Sequence, residues 1–324
     1  GGITAPRFTD EDKLEEWDAM SAGEHSRIRA DVMGDSTRRI AERTPMCQSN
    51  MIDQLLAAVN GMPLEETEAL REAKDKCPQE YTDQRRLDLF LLREDYDVQK
   101  AANRLAKYWS RRKKVFGPDK FWMPLTQDGA LRDDHAALEV GLHQMLPLPD
   151  TSNRVMILHE PSRLNLKAFH RDAFVRAFWY IFESSLESRY VRSGIVLIMN
   201  GRTMSFEHFD RKLEKAIYEL ERYFLPIQIR SIHIVKPRSQ IFTVLKPLLF
   251  FLFGRRIRSR AQVHSGSINE VLDSLTGYGM TREVLPTELG GEISLDHTAW
   301  LASKRGSENA LLQPAISNDD QCTS

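Results

Sequence analysis

Strand-like segments alternate with helix-like segments over residues 154–264, and this alternation restricts the chain to a few architectures. Four short runs rich in β-branched and other apolar residues lie at 154–158, 194–199, 227–235 and 260–264. Each run is separated from the next by enough chain for a helix of ten or more residues. Strands joined in this way form right-handed crossovers within a mostly parallel sheet. The sequence therefore predicts an α/β fold with a mostly parallel sheet and crossover helices.

A small all-helical lobe is predicted before the sheet. Short helices are expected at about 9–20 and 49–59, and further helices follow, with Thr82 and Asp97 as N-caps. The last segment is polar and lacks the apolar residues needed for a core. We therefore divide the chain into an N-terminal extension with some helix (1–62), the helical lobe (63–120), the α/β domain (121–292) and a disordered polar tail (293–324).

The composition is that of a globular protein that can touch a membrane without crossing it. Of 324 residues, 41% are hydrophobic and 28% charged, and the net charge is only −1. The three cysteines show no CxxC spacing, which favours a reducing compartment without disulfides. The longest apolar stretch, Ile241 to Phe253, is interrupted by Lys246 and Pro247 and is shorter than the ~20 residues of a membrane span. We expect a cytoplasmic protein, peripherally associated with membranes.

Residues 222–269 contain no acid at all but nine Lys or Arg. The same stretch holds the most apolar run of the chain, at 248–253, and a cluster of arginines follows that run directly. An apolar helix beside basic residues is typical of contact with an anionic lipid surface. The alternative is a buried helix whose arginines pair with acids from elsewhere in the fold.

Signatures of catalysis are missing from the sequence. It contains no phosphate loop, no GxSxG nucleophile elbow and no HExxH zinc helix. Asp133-Asp134-His135 could bind a metal, but helix capping is the favoured interpretation, and His233 and His264 are interpreted as core or edge histidines. The sequence therefore predicts a binding protein with no enzymatic activity, cofactor or metal.

Two groups of motifs together resemble the CRAL-TRIO lipid-binding family. The segment from Leu87 to Ala101 is similar to the family's apolar N-terminal helix followed by its "FDVEKA" motif. The second group comprises Gly194 to Asn200, Tyr223-Phe224-Leu225-Pro226, Ile232 to Val235, Lys246-Pro247-Leu248-Leu249 and Leu285 to Gly291, in the family's order and spacing. The resemblance covers about 64–292. It departs from the family pattern at Asn200, where the family has Asp, and in the loss of several basic positions around Leu89.

The resemblance implies a deep apolar pocket floored by the sheet and closed by a mobile gate helix, here at about 239–253. It also implies that a single lipid or lipophilic molecule is carried, without enzymatic activity. Gate residues at helical spacing should face the pocket. The expected ligand-binding residues are Phe178, Ile198, Ile232, Ile234, Phe242, Leu245, Leu249, Phe253 and Val263.

A membrane-docking surface is expected beside the gate. One family member that binds a phosphoinositide head group holds it through basic residues before and after the gate, and the matching positions here are Gln228, Arg230, Arg256 and Arg260. Phe242, Leu245, Leu249 and Phe253 form one stripe of the gate helix, the gate stripe, which should face the pocket. Phe250 and Phe251 lie off this stripe and should meet the membrane. The predicted phosphoinositide and membrane residues are Arg230, Phe250, Phe251, Arg255, Arg256, Arg258 and Arg260.

The favoured function is binding and intermembrane transfer of a hydrophobic ligand by a monomer that docks on anionic, phosphoinositide-containing membranes. An alternative is a membrane-recruited adaptor or regulator that uses the domain as a lipid sensor, with residues 1–60 and the tail binding partner proteins. An enzyme is disfavoured by the missing catalytic motifs. Nucleic-acid binding is disfavoured because the basic stretch is interleaved with a buried-looking helix and the net charge is near zero.

Overall fold

The computed structural model describes residues 8–35, 45–168, 170–236 and 240–312. Its first two helices are α1 (Asp10–Asp18) and α2 (Ala22–Met33). A reciprocal capping box begins each of them, between Thr9 and Asp12 in α1 and between Ser21 and Glu24 in α2. The sequence predicts α1 but not α2, because α2 has few large apolar residues and therefore shows no helical periodicity.

Helix α3 (Pro45–Asn60) precedes the predicted lobe, and the described helices within the lobe are α4 (Leu64–Lys76), α5 (Pro78–Thr82), α6 (Gln84–Arg93) and α7 (Val98–Phe116). Asp97 caps α7 as predicted, since its side chain accepts a hydrogen bond from the Lys100 backbone N–H at 3.1 Å. The prediction for Thr82 is wrong: this residue ends α5, and Asp83 caps α6 instead. α3 was predicted as part of the extension, but its buried residues share one core with α4 and α7.

The sheet has five strands, β1 (His143–Met145), β2 (Val155–His159), β3 (Ile195–Asn200), β4 (Ile229–Val235) and β5 (Ala261–His264). They lie in chain order, with β2 to β5 parallel and β1 antiparallel to β2. The other helices of this part are α8 (His135–Glu139), α9 (Arg171–Ser185), α10 (Arg211–Tyr223), α11 (Ile241–Arg258) and α12 (Ile268–Thr276). The predicted α/β fold with a preceding helical lobe is confirmed.

The two faces of the sheet belong to different cores because successive side chains on a strand point to opposite faces. Val155 and Ile157 of β2 join one cluster with α9, α10 and α11. Met156 and Leu158 join another with α12 and the segment near Leu285. We call the first the gate-side face and the second the far face.

The prediction of a disordered tail is wrong for residues 293–312, which the structure describes. Helix α13 (His297–Leu312) begins after the α/β domain and packs against it. Leu301 is buried, and the carboxylate of Glu308 accepts hydrogen bonds from the Gln127 backbone and the Tyr180 hydroxyl, at 2.9 and 2.7 Å. These contacts hold a segment whose polar composition alone suggests disorder. Residues 313–324 lie outside the described residues.

Candidate functional site

Helix α11 is the predicted gate, and it closes over the gate-side face of the sheet. Its residues at positions i, i+3, i+7 and i+11 are all buried, as the helical spacing predicts: Phe242, Leu245, Leu249 and Phe253. They join one apolar cluster with Phe178 of α9 and with Ile232 and Ile234 of β4. In the described part of the chain, no helix is long and apolar enough to cross a membrane, α11 included.

Two residues interrupt the gate helix. Pro247 lies inside α11, where it cannot donate a backbone hydrogen bond. Gly254 has φ 67° and ψ 160°, which breaks the helix and separates the turn from Arg255 to Arg258 from the apolar part. A positive φ is accessible to glycine at little cost. The apolar gate and the basic turn are therefore two pieces joined at a sharp bend.

Three predicted site residues lie elsewhere than expected. Ile198 belongs to the far face, because β3 is buried on both sides and its sequence carries no alternation that could assign its faces. Val263 is 40% exposed on the edge strand β5 rather than enclosed. Phe250 is 2% exposed, whereas Phe251 is 41% exposed as predicted for a membrane contact. The ring of Phe250 is covered by the ammonium groups of Lys13 and Lys246, at 5.5 and 5.8 Å from its centroid.

A polar group is enclosed in the otherwise apolar gate-side core. The rings of His143 and His159 stack with centroids 4.4 Å apart, and His159 Nε2 lies 4.0 Å from a carboxylate oxygen of Glu214. Burial raises the pKa of Glu214 to about 7 and lowers the pKa of His159 to about 4. These neutral forms suit an apolar environment. His143, His159 and Glu214 could not be predicted as a group from the sequence, because they are far apart in the chain.

We expect Glu214→Gln to stabilise the protein at pH 8 but not at pH 5. The folded-state pKa of Glu214 lies above its usual value, so its neutral form stabilises the fold below about pH 4.5 and this stability is lost as the pH rises through 7. Gln stays neutral, and the gain at pH 8 should be at most about 3 kcal/mol. Urea denaturation at both pH values measures it. The buried histidines are common to both proteins and cancel, so an equal difference at both pH values would contradict the assignment.

Most of the arginines predicted to bind the membrane are paired with acids of the N-terminal extension. Asp31 of α2 pairs with Arg230 at 2.9 Å and with Arg260 at 2.7 Å. Glu16 binds Arg258 at 2.7 Å, and Glu24 binds Arg255 at 3.3 Å. The alternative in which these arginines pair within the fold therefore holds for Arg230, Arg255, Arg258 and Arg260. Arg256 is half-buried and has no ion pair within the described residues.

A polar cavity of about 470 Å³ lies between α2, the start of β4 and the basic turn. Its lining includes Arg93, Arg222, Arg230, Arg256 and Arg260, together with Asp31 and Glu221. Arg93 is buried, its Nε has no hydrogen-bond partner, and burial lowers the pKa of its guanidinium to about 10. Gln228 lines the same cavity and donates to the Leu92 carbonyl, while its own carbonyl oxygen has no partner. The predicted head-group residues are thus brought together in one place.

The other polar candidates have structural partners. Asp134 is the N-cap residue of α8, but its side chain makes no capping hydrogen bond and instead binds Arg176 at 2.7 Å. Asp133 binds Lys120 at 2.9 Å. His233 and His264 are joined by a 3.0 Å hydrogen bond, and each also contacts a serine hydroxyl. Among the residues that the structure describes, no group of three or more acids, histidines or cysteines could hold a metal ion.

A buried apolar helix packed on the apolar face of a mostly parallel sheet is the arrangement that the sequence predicts for the gate and the floor of the pocket. Residues 140–291 match the family model of the CRAL/TRIO domain. Over these residues the chain is therefore similar to CRAL/TRIO domains, and proteins of this family bind and transfer lipids and are generally not enzymes. The resemblance over 64–139 lies outside the matched residues.

The fold is also similar to a solved structure. The crystal structure of Sfh5 aligns with a TM-score of 0.50 and 13% sequence identity, covering 82% of this chain and 99% of that chain. At this identity the similarity concerns the fold alone. A search of curated proteins found no match to this sequence.

Proposed function

We propose that this protein binds one hydrophobic molecule between the gate helix and the sheet and transfers it between membranes. The observation that carries the proposal is that the buried gate residues Phe242, Leu245, Leu249 and Phe253 share one apolar cluster with β4, within a domain that matches the CRAL/TRIO family. Enclosing an apolar ligand there would remove apolar surface from water at about 25 cal/mol per Å². The ligand would be a phospholipid or an isoprenoid-like molecule, and its polar end would meet His143, His159 and Glu214.

The proposed docking surface surrounds the bend of the gate. Phe251 is exposed on the gate, Arg255 is exposed just after the bend, and Arg256 has no acidic partner within the described residues. A shallowly inserted aromatic ring beside cations suits an anionic leaflet, including one that contains phosphoinositides. Arg230 and Arg260 contribute less than the sequence predicts, because both are paired with Asp31, which offsets one of their two charges.

We expect Arg255→Ala/Arg256→Ala to weaken binding to anionic vesicles about thirtyfold, since each basic residue near a charged leaflet contributes about 1 kcal/mol. The matched control is Lys107→Ala/Lys114→Ala, which removes the same charge from exposed positions on α7. Cosedimentation with phosphatidylserine vesicles, with and without a phosphoinositide, measures the effect. Equal losses in the two variants would reject this docking surface in favour of a general charge effect.

A further inference from the structure

Residues 8–35 lie across the gate helix and contact it on both sides of its bend. Before the bend, the Phe8 backbone N–H donates to the Pro247 carbonyl at 3.1 Å, and the Asp10 carboxylate binds Lys246 at 2.5 Å. Lys13 lies over the ring of Phe250. These contacts cover Phe250, which the sequence predicts as a membrane contact, and leave Phe251 exposed.

After the bend, the same segment binds the basic turn. Arg258 donates from Nε and Nη2 to the two carboxylate oxygens of Glu16, at 2.8 and 2.7 Å, and its guanidinium lies 3.7 Å from the centroid of the Phe8 ring. Glu24 binds Arg255. A bidentate Arg–carboxylate pair is among the stronger and more directional ion pairs. The extension therefore connects the two pieces of the gate that Gly254 separates.

The C-terminal end of this segment, at the end of α2, is fixed by buried hydrogen bonds. Arg154 is fully buried and donates to the carbonyls of Asp31 and Val32 at 2.7 and 3.0 Å. The Asp31 side chain in turn holds Arg230 and Arg260. The end of α2 is thus fixed to the sheet region.

The N-terminal part of this segment, by contrast, is held mainly by ion pairs. α1 contributes no fully buried residue, and the side chains of Asp10 and Glu24 are 77% and 46% exposed. Ion pairs as exposed as those of Asp10 and Glu24 are weak and are screened by salt. The Glu16–Arg258 pair is more enclosed, with side chains 19% and 10% exposed. An anionic surface could therefore compete first with Asp10 and Glu24 for Lys246 and Arg255, while the Asp31 anchor stays in place.

We propose that residues 8–30 form a clamp that holds the gate closed in solution and is displaced by anionic membrane lipid. This inference rests on the proposed function. Displacing the clamp uncovers Lys246, Arg255 and Arg258 beside Arg256, and it also frees Phe250. Membrane docking would thereby be coupled to opening of the gate, and the ligand would be exchanged only at the membrane surface.

The test compares two full-length variants with the same change in charge. The first, Asp10→Lys/Glu16→Lys/Glu24→Lys, reverses the three acids that hold the gate. The control, Glu11→Lys/Glu15→Lys/Asp18→Lys, reverses three exposed acids of α1 that form no ion pair within the described residues. Circular dichroism and thermal melts check that both remain folded. Hydrogen exchange of the gate amides over 241–253 is then measured without lipid, and binding is measured to phosphatidylcholine vesicles with and without phosphatidylserine.

We expect the gate amides to exchange faster in the first variant than in the control, and we expect that variant to bind phosphatidylserine vesicles about tenfold more tightly than the control. Equal exchange in the two variants overturns the clamp, whatever the vesicles show. Faster exchange with no binding of any variant to anionic vesicles supports the clamp while rejecting membrane docking. Faster exchange with equal vesicle binding overturns the coupling, because the uncovered cations would then not meet the lipid.

Discussion

Replacing Arg154 by Met should lower the free energy of unfolding by about 3 to 5 kcal/mol, the usual cost of removing one partner of a buried ion pair. Arg154 and Asp150 both have fully buried side chains and are joined at 2.6 Å. The same guanidinium also donates to the Tyr278 carbonyl and to two carbonyls at the end of α2. Met fills much of the space but leaves the Asp150 carboxylate without its cation. Urea denaturation measures the loss.

Two further variants isolate the cause. Arg29→Met changes an exposed arginine of α2 and should alter the stability by less than about 0.5 kcal/mol. Arg154→Met/Asp150→Leu removes both buried charges and should recover part of the stability, because no unpaired charge remains. If Arg154→Met unfolds at the same urea concentration as Arg29→Met, the anchor at the end of α2 does not exist as described.

The sequence predicts the sheet well because β2 and β3 are buried on both faces and are mostly apolar runs, whereas β4 alternates apolar and polar residues. Burial on both faces hides which residues face the gate, so Ile198 is assigned to the wrong side. β1 is missed because it has only three residues, His143 to Met145, too few to show a strand pattern. The gate stripe is predicted correctly because one helix face repeats along a contiguous segment.

The partners of the basic cluster could not be predicted from the sequence in the same way. Glu16 and Asp31 lie more than 200 residues before Arg258 and Arg260, and no local pattern links them. The absence of acids from 222–269 marks an unbalanced stretch, but it does not say whether a membrane or another part of the chain balances it. Phe250 illustrates the result: its position off the gate stripe predicts exposure, yet the extension covers it.

Leu249→Gln should reduce ligand affinity about tenfold or more while leaving the protein folded. Leu249 is 1% exposed within the gate-side cluster, and an amide there without a partner costs about 1 to 3 kcal/mol. Val244→Gln is the matched control, because Val244 is 49% exposed on the other side of the same helix. Uptake of a fluorescent phospholipid from vesicles compares the two, with circular dichroism as the check on folding. Unchanged uptake by folded Leu249→Gln would show that the stripe does not line the ligand site.

The most direct test of lipid carriage is to extract the purified full-length protein with organic solvent and to identify and count what it releases by mass spectrometry. We expect one class of lipid at about one molecule per chain. The Val244→Gln variant should retain it, and the Leu249→Gln variant should release much less. If the unmodified protein releases no lipid and takes none up after incubation with vesicles, the gate-side core is an ordinary packed core, and the proposal that this protein carries a lipid is wrong.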